Sequence, residues 1–359
     1  MADRTRIAIL GVGRWGTHLV RNFLTNPRSQ IVALADLHPE NLEKAASRFD
    51  LGDDILLTQD WLQVLQRPDV DAVAIATPAA THYSLITEAL QQNCHVLAEK
   101  PLTLTVEESL VLCRLAEAQQ KQLVVDHTYL FNPAIEEGQR IVQSGCLGNL
   151  RYGYATRTHL SPVRQDVDAL WDLAIHDIAI FNAWLGELPI QVRAEGNVWL
   201  QPNSPNSERF FQGLADLVWV KLTYPSGFQA FIHLCWLNPD KQRRLSVVGS
   251  QSSLIFDELA PDPVTLHRAW LEEDKREDGS VRYVPVESGC EAVNLSDEET
   301  LKRVCNHFLD CLEQVEPSPI SSGWVGAQLV QVLDALTESL QQNGTQVDIK
   351  PLVPEAFVK

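Results

Sequence analysis

The feature that most restricts the fold of this chain is a glycine turn set between an apolar run and a helical pattern. Arg6-Ile-Ala-Ile-Leu10 is followed without a break by Gly11-Val-Gly-Arg-Trp-Gly16. In such a turn the first glycine permits a tight bend, the second lets a ligand approach the backbone, and the third lets helix and strand pack closely. Phosphates then rest on the helix N-terminus. The spacing alone is weak evidence. Asp36 adds weight, because it stands twenty residues past Gly16 at the end of the next apolar run, where a carboxylate accepts hydrogen bonds from ribose hydroxyls. A capping or turn aspartate is its bland alternative. A carboxylate there repels a 2′-phosphate, and Leu37 and His38 bring no arginine. NAD rather than NADP is therefore the expected cofactor, held by Gly11, Gly13, Gly16 and Asp36. Arg14 and Trp15, exposed by the turn, are expected beside it, with Trp15 either covering the cofactor or packing on a neighbouring domain.

The rest of the first third repeats this grammar. Continuous apolar runs at 6–10, 31–35, 72–76, 96–98 and 123–125 alternate with helical patterns near 17–26, 39–48, 82–92 and 105–120, as strands of a parallel sheet covered on both faces require. Pro39 at a first turn and Thr105 with Glu108 as a capping box mark two helix starts. After about residue 126 the strands alternate polar and apolar positions, as in 151–158 and 216–224, and meet at turn signals such as Tyr224-Pro-Ser-Gly227 and Asp278-Gly279. Two amphipathic helices, near 297–315 and 323–342, close the chain; Glu272–Asp278 reads as a solvated hairpin tip and 201–207 as a loop. The expected fold is α/β: a Rossmann dinucleotide-binding domain over 1–126, then a substrate-binding and catalytic α+β domain over 127–359 with a large, mostly antiparallel open sheet.

Two domains suit 359 residues, since single cores rarely grow past about 250 to 300 residues. The net charge of −18 repels nucleic acid and anionic membrane surfaces, so an anionic ligand has to be held locally. No apolar run approaches the ~20 residues of a membrane span, and the charged N-terminus lacks a secretory pattern. A cytoplasmic location is expected. The seven cysteines have no zinc-like or Cys-x-x-Cys spacing, which predicts reduced thiols, no disulfide and no metal.

Within the apolar stretch 169–181 stand Asp172, His176 and Asp177. Asp172 and His176 are four apart and share a helix face. Buried acids and imidazoles are costly without partners, and groups held in that way often have pKa values suited to proton transfer. A capping Asp172 with a satisfied core histidine is the reading that the segment alone favours, so the case for chemistry here has to come from elsewhere in the chain. Lys100, in Glu99-Lys-Pro101, falls at the carboxyl edge of the sheet, where doubly wound folds bind ligands. It could polarise or protonate a substrate oxygen; a rim lysine paired with Glu99 fits the position as well.

Gly11-Val-Gly-Arg-Trp-Gly16, Ala76-Thr-Pro78 with His82, Glu99-Lys-Pro101 and Asp172-Leu-Ala-Ile-His-Asp177, in this order, closely resemble the glucose-fructose oxidoreductase / inositol dehydrogenase / rhizopine catabolism (Gfo/Idh/MocA) family across essentially the whole chain. The resemblance implies hydride transfer at a sugar or polyol carbon. Lys100, Asp172 and His176 would converge on one carbinol, with His176 as acid/base, Lys100 as its electrostatic partner and Asp172 hydrogen-bonding. Thr77, Pro78 and His82 would line the nicotinamide end, with Glu99 a further cofactor contact, and Asp177 would be structural, bonded to the first domain. A homodimer or homotetramer through the C-terminal sheet would follow.

The runs 163–177 and 127–133 are similar to the family's nucleotide-sugar branch, UDP-N-acetyl-hexosamine or hexosaminuronate 3-dehydrogenases, with Asp168 and Ile175 as departures from it. Tyr129, Asn132, Arg157, Arg164 and Trp171 are then expected at the substrate, the two arginines holding a carboxylate or diphosphate; solvent-facing arginines are the alternative. An inositol or free-sugar dehydrogenase and a non-catalytic dinucleotide-binding regulator remain as other readings, the latter having no need of Lys100, Asp172 and His176.

Overall fold

The computed structural model describes residues 4–202, 210 and 213–352; most of the loop expected at 201–207 lies outside them. The chain forms two compact units, Met1–Phe131 with Glu298–Gln331, and Asn132–Asp297 with Val332–Lys359.

In the first unit β1 (Thr5–Leu10), β2 (Ser29–Ala35), β3 (Leu56–Thr58), β4 (Ala72–Ile75), β5 (His95–Glu99) and β6 (Leu123–Asp126) form a sheet ordered β3-β2-β1-β4-β5-β6. Every pairing in it is parallel, giving the doubly wound dinucleotide-binding order. Ile7 to Leu10 and Ala72 to Ile75 are entirely buried, which is why those strands read as continuous apolar runs. Thr105 Oγ1 accepts from Glu108 N at 3.2 Å and opens the helix Val106–Ala118. β3 and the short helix Trp61–Leu65, capped by Asp60, are too short to show a period and were not expected.

The sequence boundary after residue 126 leaves all later residues in one domain, whereas Glu298–Gln331 packs with the first unit. Leu301, Val304, Cys305, Phe308 and Leu309 of the helix Thr300–Gln314 join the apolar cluster that contains Ile9, Leu19, Phe23 and Phe131. Each fully buried side chain of the larger kind stabilises by roughly 1.5–3 kcal/mol. Amphipathic periodicity tells that a helix must cover a core, not which one. The following segment covers the sheet's edge: Val125 N donates to Ser321 O at 2.9 Å and Ser321 Oγ donates to Val125 O at 2.7 Å.

The second unit is built on β7 (Leu150–Leu160), β8 (Gln191–Asn197), β9 (Leu217–Thr223), β10 (Gln229–Cys235), β11 (Leu237–Gly249), β12 (Ser253–Asp257), β13 (Val264–Lys275), β14 (Val281–Ala292) and β15 (Val347–Asp348). They are ordered β14-β13-β12-β11-β7-β10-β9-β8-β15, antiparallel except for β7 with β10. The helices Pro133–Gln143 and Ile175–Leu185 pack tightly: a Cβ on Gly153 of β7 would lie 2.6 Å from Phe181, and one on Gly138 would lie 2.3 Å from Trp184. Elsewhere on the sheet Tyr152, Trp219 and Phe231 are exposed, and Trp219 stacks on His233 with ring centroids 4.1 Å apart. The charged run expected as a hairpin tip is mostly strand: Glu272 to Lys275 pair with Val284 to Val281, and only Arg276 to Ser280 turn.

Among the described residues no helix is long and apolar enough to cross a membrane, and no group of three metal-ligating side chains is assembled. All seven cysteines are free, five of them buried; burial pushes the Cys113 thiol up to about 12.

Candidate active site

The glycine turn has the three roles its spacing implies. Gly11 adopts φ 87°, and a Cβ there would lie 2.7 Å from Ala76 O. A Cβ on Gly16 would lie 1.9 Å from Gly11 O, whereas one on Gly13 would meet nothing within 4 Å. Two glycines are therefore demanded by protein backbone, and the third leaves an open approach for a ligand at the start of the helix Gly16–Thr25. The turn fits a dinucleotide pyrophosphate.

Asp36 lies at the end of β2 as expected, but its carboxylate is already engaged. Oδ2 accepts from Val12 N at 2.7 Å; Oδ1 accepts from His38 N at 2.9 Å and Asn41 Nδ2 at 3.2 Å. It ties the glycine turn to the start of the next helix, and a carboxylate with about four acceptor sites retains capacity for a ribose hydroxyl. Arg14, Lys44 and Arg48 line a cleft of about 200 Å³ beside Gly13 and Asn41. The cations absent after Asp36 in sequence are thus supplied from the turn and from helix Pro39–Phe49.

At the ends of β4, β5 and β6 the structure corrects one assignment. His82 does not line a groove: its ring is buried, with Nδ1 2.8 Å from Pro101 O and Nε2 3.0 Å from Thr77 O. Both partners are acceptors, so a neutral ring can satisfy one and only the protonated ring both. His82 clamps the Thr77-Pro78 loop to the Lys100-Pro101 loop. Glu99 and Asp126 are register partners on β5 and β6, and Glu99 Oε1 and Asp126 Oδ2 are buried without a hydrogen-bond partner. Burial, then the Asp126 charge, holds the Glu99 carboxyl protonated well above its usual range, against the pull of Lys100. Burial also raises Asp126, opposed by the Thr128 hydroxyl, which donates to Oδ1 at 2.8 Å, and by the influence of Glu99, Trp15 and Lys100. Glu99 therefore keeps the proton the pair shares, and Lys100 faces one net carboxylate. His127 is buried beside them; burial and Lys100 lower its pKa to about 3. Its Nδ1 lies 2.7 Å from Ser321 Oγ, which itself donates to Val125 O, so Nδ1 carries the hydrogen. Tyr129 sits half-buried on the short turn Thr128–Phe131. Asp126 was not singled out in the sequence, although its place at a strand's carboxyl end was a usable signal.

In the second unit the segment 170–174 is a π-turn that runs directly into the helix Ile175–Leu185. From 167 to 181 every residue is buried except Asp172 and His176. The apolar stretch is therefore a core element opened at two positions, and π-turns recur at functional sites. Asp168 starts it, its Oδ1 accepting from Trp171 N at 3.0 Å, and Ile175 is wholly buried; both departures from the nucleotide-sugar pattern are structural here. Arg164 reaches Asp172 Oδ1 at 3.2 Å and Asp166 Oδ2 at 2.5 Å.

In this unit the expectations for Arg157, Asp177 and Trp171 are corrected, and Asn132 and Arg164 already have protein partners. Arg157 is buried in a bidentate pair with Asp177, at 3.1 and 2.8 Å, so it is not available to a substrate anion and Asp177 is bonded within its own unit. Trp171 is wholly buried, its Nε1 donating to Thr337 Oγ1 at 2.8 Å. Asn132 caps the helix Pro133–Gln143, accepting from Ala134 N at 2.8 Å. Arg164 is half-buried and already faces two carboxylates. The sequence missed His159, at the end of β7, whose imidazole pKa is lowered by burial, raised by Asp172 and lowered by Arg243, Lys241 and Arg157.

A doubly wound sheet with this turn, joined to an open antiparallel sheet, defines the class as a two-domain dinucleotide-binding protein. The family model for the Gfo/Idh/MocA oxidoreductase family, NAD-binding Rossmann fold, matches residues 5–127, and the GFO/IDH/MocA C-terminal domain matches 135–255. The chain belongs to this family and is an NAD-binding oxidoreductase. It is 27% identical over 273 residues to scyllo-inositol 2-dehydrogenase (NAD(+)) of Bacillus subtilis, covering 74% of this chain and 78% of that protein. It is 34% identical over 193 residues to UDP-N-acetylglucosamine 3-dehydrogenase of Acidithiobacillus ferrooxidans, covering 53% of this chain and 58% of the relative. A solved structure of that name from the same organism superposes with a TM-score of 0.75 at 25% identity, over 94% of this chain and 98% of that one.

Proposed function

We propose that this protein oxidises a secondary hydroxyl of a sugar, with a nucleotide-activated N-acetyl-hexosamine or its uronate, at C3, as the preferred substrate. The observation that carries the reading is that the otherwise buried stretch 167–181 is open only at Asp172 and His176, in a chain whose other unit binds NAD. Bound NAD supplies the hydride acceptor. His176 takes the hydroxyl proton as the carbinol is oxidised; Lys100, faced by the Glu99–Asp126 pair, stabilises charge that develops on the substrate oxygen. Asp172 hydrogen-bonds the substrate, and Arg164 holds Asp172 in place.

A free polyol is the second reading, favoured by one observation: Arg157 and Arg164, the two arginines expected to meet an anion, are both engaged by carboxylates. Kinetics with UDP-N-acetylglucosamine, its uronate, myo-inositol and glucose, followed by NADH absorbance, separate the readings. Preference for the nucleotide sugars supports the first, and equal or better turnover of the polyols replaces it with the second. The exposed aromatic residues of the second sheet suit a homo-oligomer, which sedimentation tests.

A further inference from the structure

At the end of β7 that carries His159, pairing with β11 is interrupted. Between the pairs Leu237 with Leu160 and Gln242 with Thr158, β11 advances five residues and β7 two, so three extra residues of β11 stand opposite His159. The insertion is pinned: Thr158 Oγ1 donates to Asp240 O at 2.7 Å, and Asp240 N donates to Asn238 Oδ1 at 2.9 Å. Its last residue is Lys241. Insertions of this kind re-aim side chains at sheet rims and beside active sites.

Arg157, Lys241 and Arg243 act on His159, and Arg164 reaches Asp172. Arg157 is paired with Asp177, Arg164 with Asp166 and Asp172, and Arg243 with Glu258. Lys241 is exposed, acts on the His159 imidazole together with Asp172, and among the described residues enters no ion pair. With a net charge of −18, the protein's general field repels an anionic substrate, so a local cation has to hold it.

We propose that Lys241, presented by the β11 insertion, binds an anionic oxygen of the substrate, a hexuronate carboxylate or a sugar-linked diphosphate, and thereby sets the preference for charged over neutral sugars. This rests on the sugar-dehydrogenase reading. The lysine acts in binding, so its effect falls on KM rather than kcat.

The test uses the full enzyme with NAD and four substrates: UDP-N-acetylglucosamine, its uronate, glucuronate and myo-inositol. The variants are Lys241→Gln, Lys241→Arg and, as a control on the distant hairpin, Lys275→Gln. Lys241→Gln is expected to raise KM for the charged substrates by about 10-fold or more relative to myo-inositol, with kcat within about twofold and Lys241→Arg restoring most of the loss. A shift for UDP-N-acetylglucosamine identifies the diphosphate, and one for glucuronate the carboxylate. If charged sugars turn over and Lys241→Gln affects them no more than myo-inositol, the Lys241 assignment is wrong and the dehydrogenase reading stands. If only myo-inositol turns over, the assignment is likewise overturned. If no sugar turns over, the dehydrogenase reading fails; equal calorimetric affinities of wild type and Lys241→Gln for the uronate, with NADH present, then overturn Lys241 on its own.

Discussion

Arg157 on β7 and Asp177 on the helix that follows the π-turn grip each other through two hydrogen bonds, with both side chains buried. Asp177 adjoins His176, so the pair fixes the rotation of the helix that leaves His176 uncovered. Removing one partner strands a buried charge. Asp177→Asn is expected to lower stability by roughly 3–5 kcal/mol, and Arg157→Met combined with Asp177→Leu to recover most of it. Urea denaturation measures both; a loss below about 1 kcal/mol for Asp177→Asn, the range of an exposed pair, would refute a structural role.

Lys100→Ala and His176→Ala should each reduce turnover by roughly 10²-fold or more, with NADH affinity nearly unchanged. Arg164→Ala should act mainly on kcat, because it releases Asp172, and not selectively on charged substrates. Near-wild-type rates in both single variants of Lys100 and His176 would mean that the proton leaves by another route.

Gly13 and Gly16 are separable. Gly16→Ala forces a methyl group to 1.9 Å from Gly11 O and should prevent stable folding of the first unit. Gly13→Ala meets no protein atom within 4 Å, so thermal stability of the NAD-free protein should be retained while NAD titration by fluorescence shows weakened binding. A variant at Gly13 that binds NAD normally would place the pyrophosphate elsewhere.

Cofactor preference should turn on Asp36 alone. The wild type is expected to favour NAD(H), since the carboxylate opposes a 2′-phosphate. Arg14, Lys44 and Arg48 already line the adjoining cleft, so Asp36→Ser should gain NADP(H) affinity by about 10-fold or more without an added arginine. Equal dissociation constants for the two cofactors in the wild type would overturn the role given to Asp36.

His127 predicts an acid sensitivity. Its folded pKa of about 3 lies below the unfolded value near 6.5, so the unfolded chain binds the extra proton between those limits. Its contribution to stability is complete above pH 6.5 and is lost progressively as pH falls toward 3, by roughly 1.4 kcal/mol per pH unit. From pH 7 to pH 5 the loss from this residue is about 2 kcal/mol. His127→Asn should flatten that part of the stability curve; an unchanged slope between pH 7 and pH 5 assigns it to other groups.

The parallel sheet was legible because strands buried on both faces are continuous apolar runs; Asp172 and His176 stood out in an apolar stretch, but a cap and a core histidine explain that pattern too, and it was the family resemblance that singled the pair out. What stayed hidden depends on direction rather than position. Trp171 adjoins Asp172 yet points into the core, and Asn132 turns its amide onto a helix end. Arg157 meets a carboxylate twenty residues away on another element, a distance no local pattern encodes. Lys241 is brought beside His159 only by a register shift, and Glu99 meets Asp126 only once β5 and β6 are paired.

Because Glu298–Gln331 completes the first unit, the cofactor-binding half is finished by residues that leave the ribosome after Asn132–Asp297 has been made. Throughout that interval Leu19 and Phe23 lack the cover of Phe308 and Leu309, and β6 has an open edge awaiting Ser321. A nascent chain in this state exposes apolar surface and an unpaired strand together, the combination most prone to mispairing between chains. Chaperone protection therefore matters most during synthesis of the second unit, and a product truncated at Phe131 would retain that exposed surface permanently.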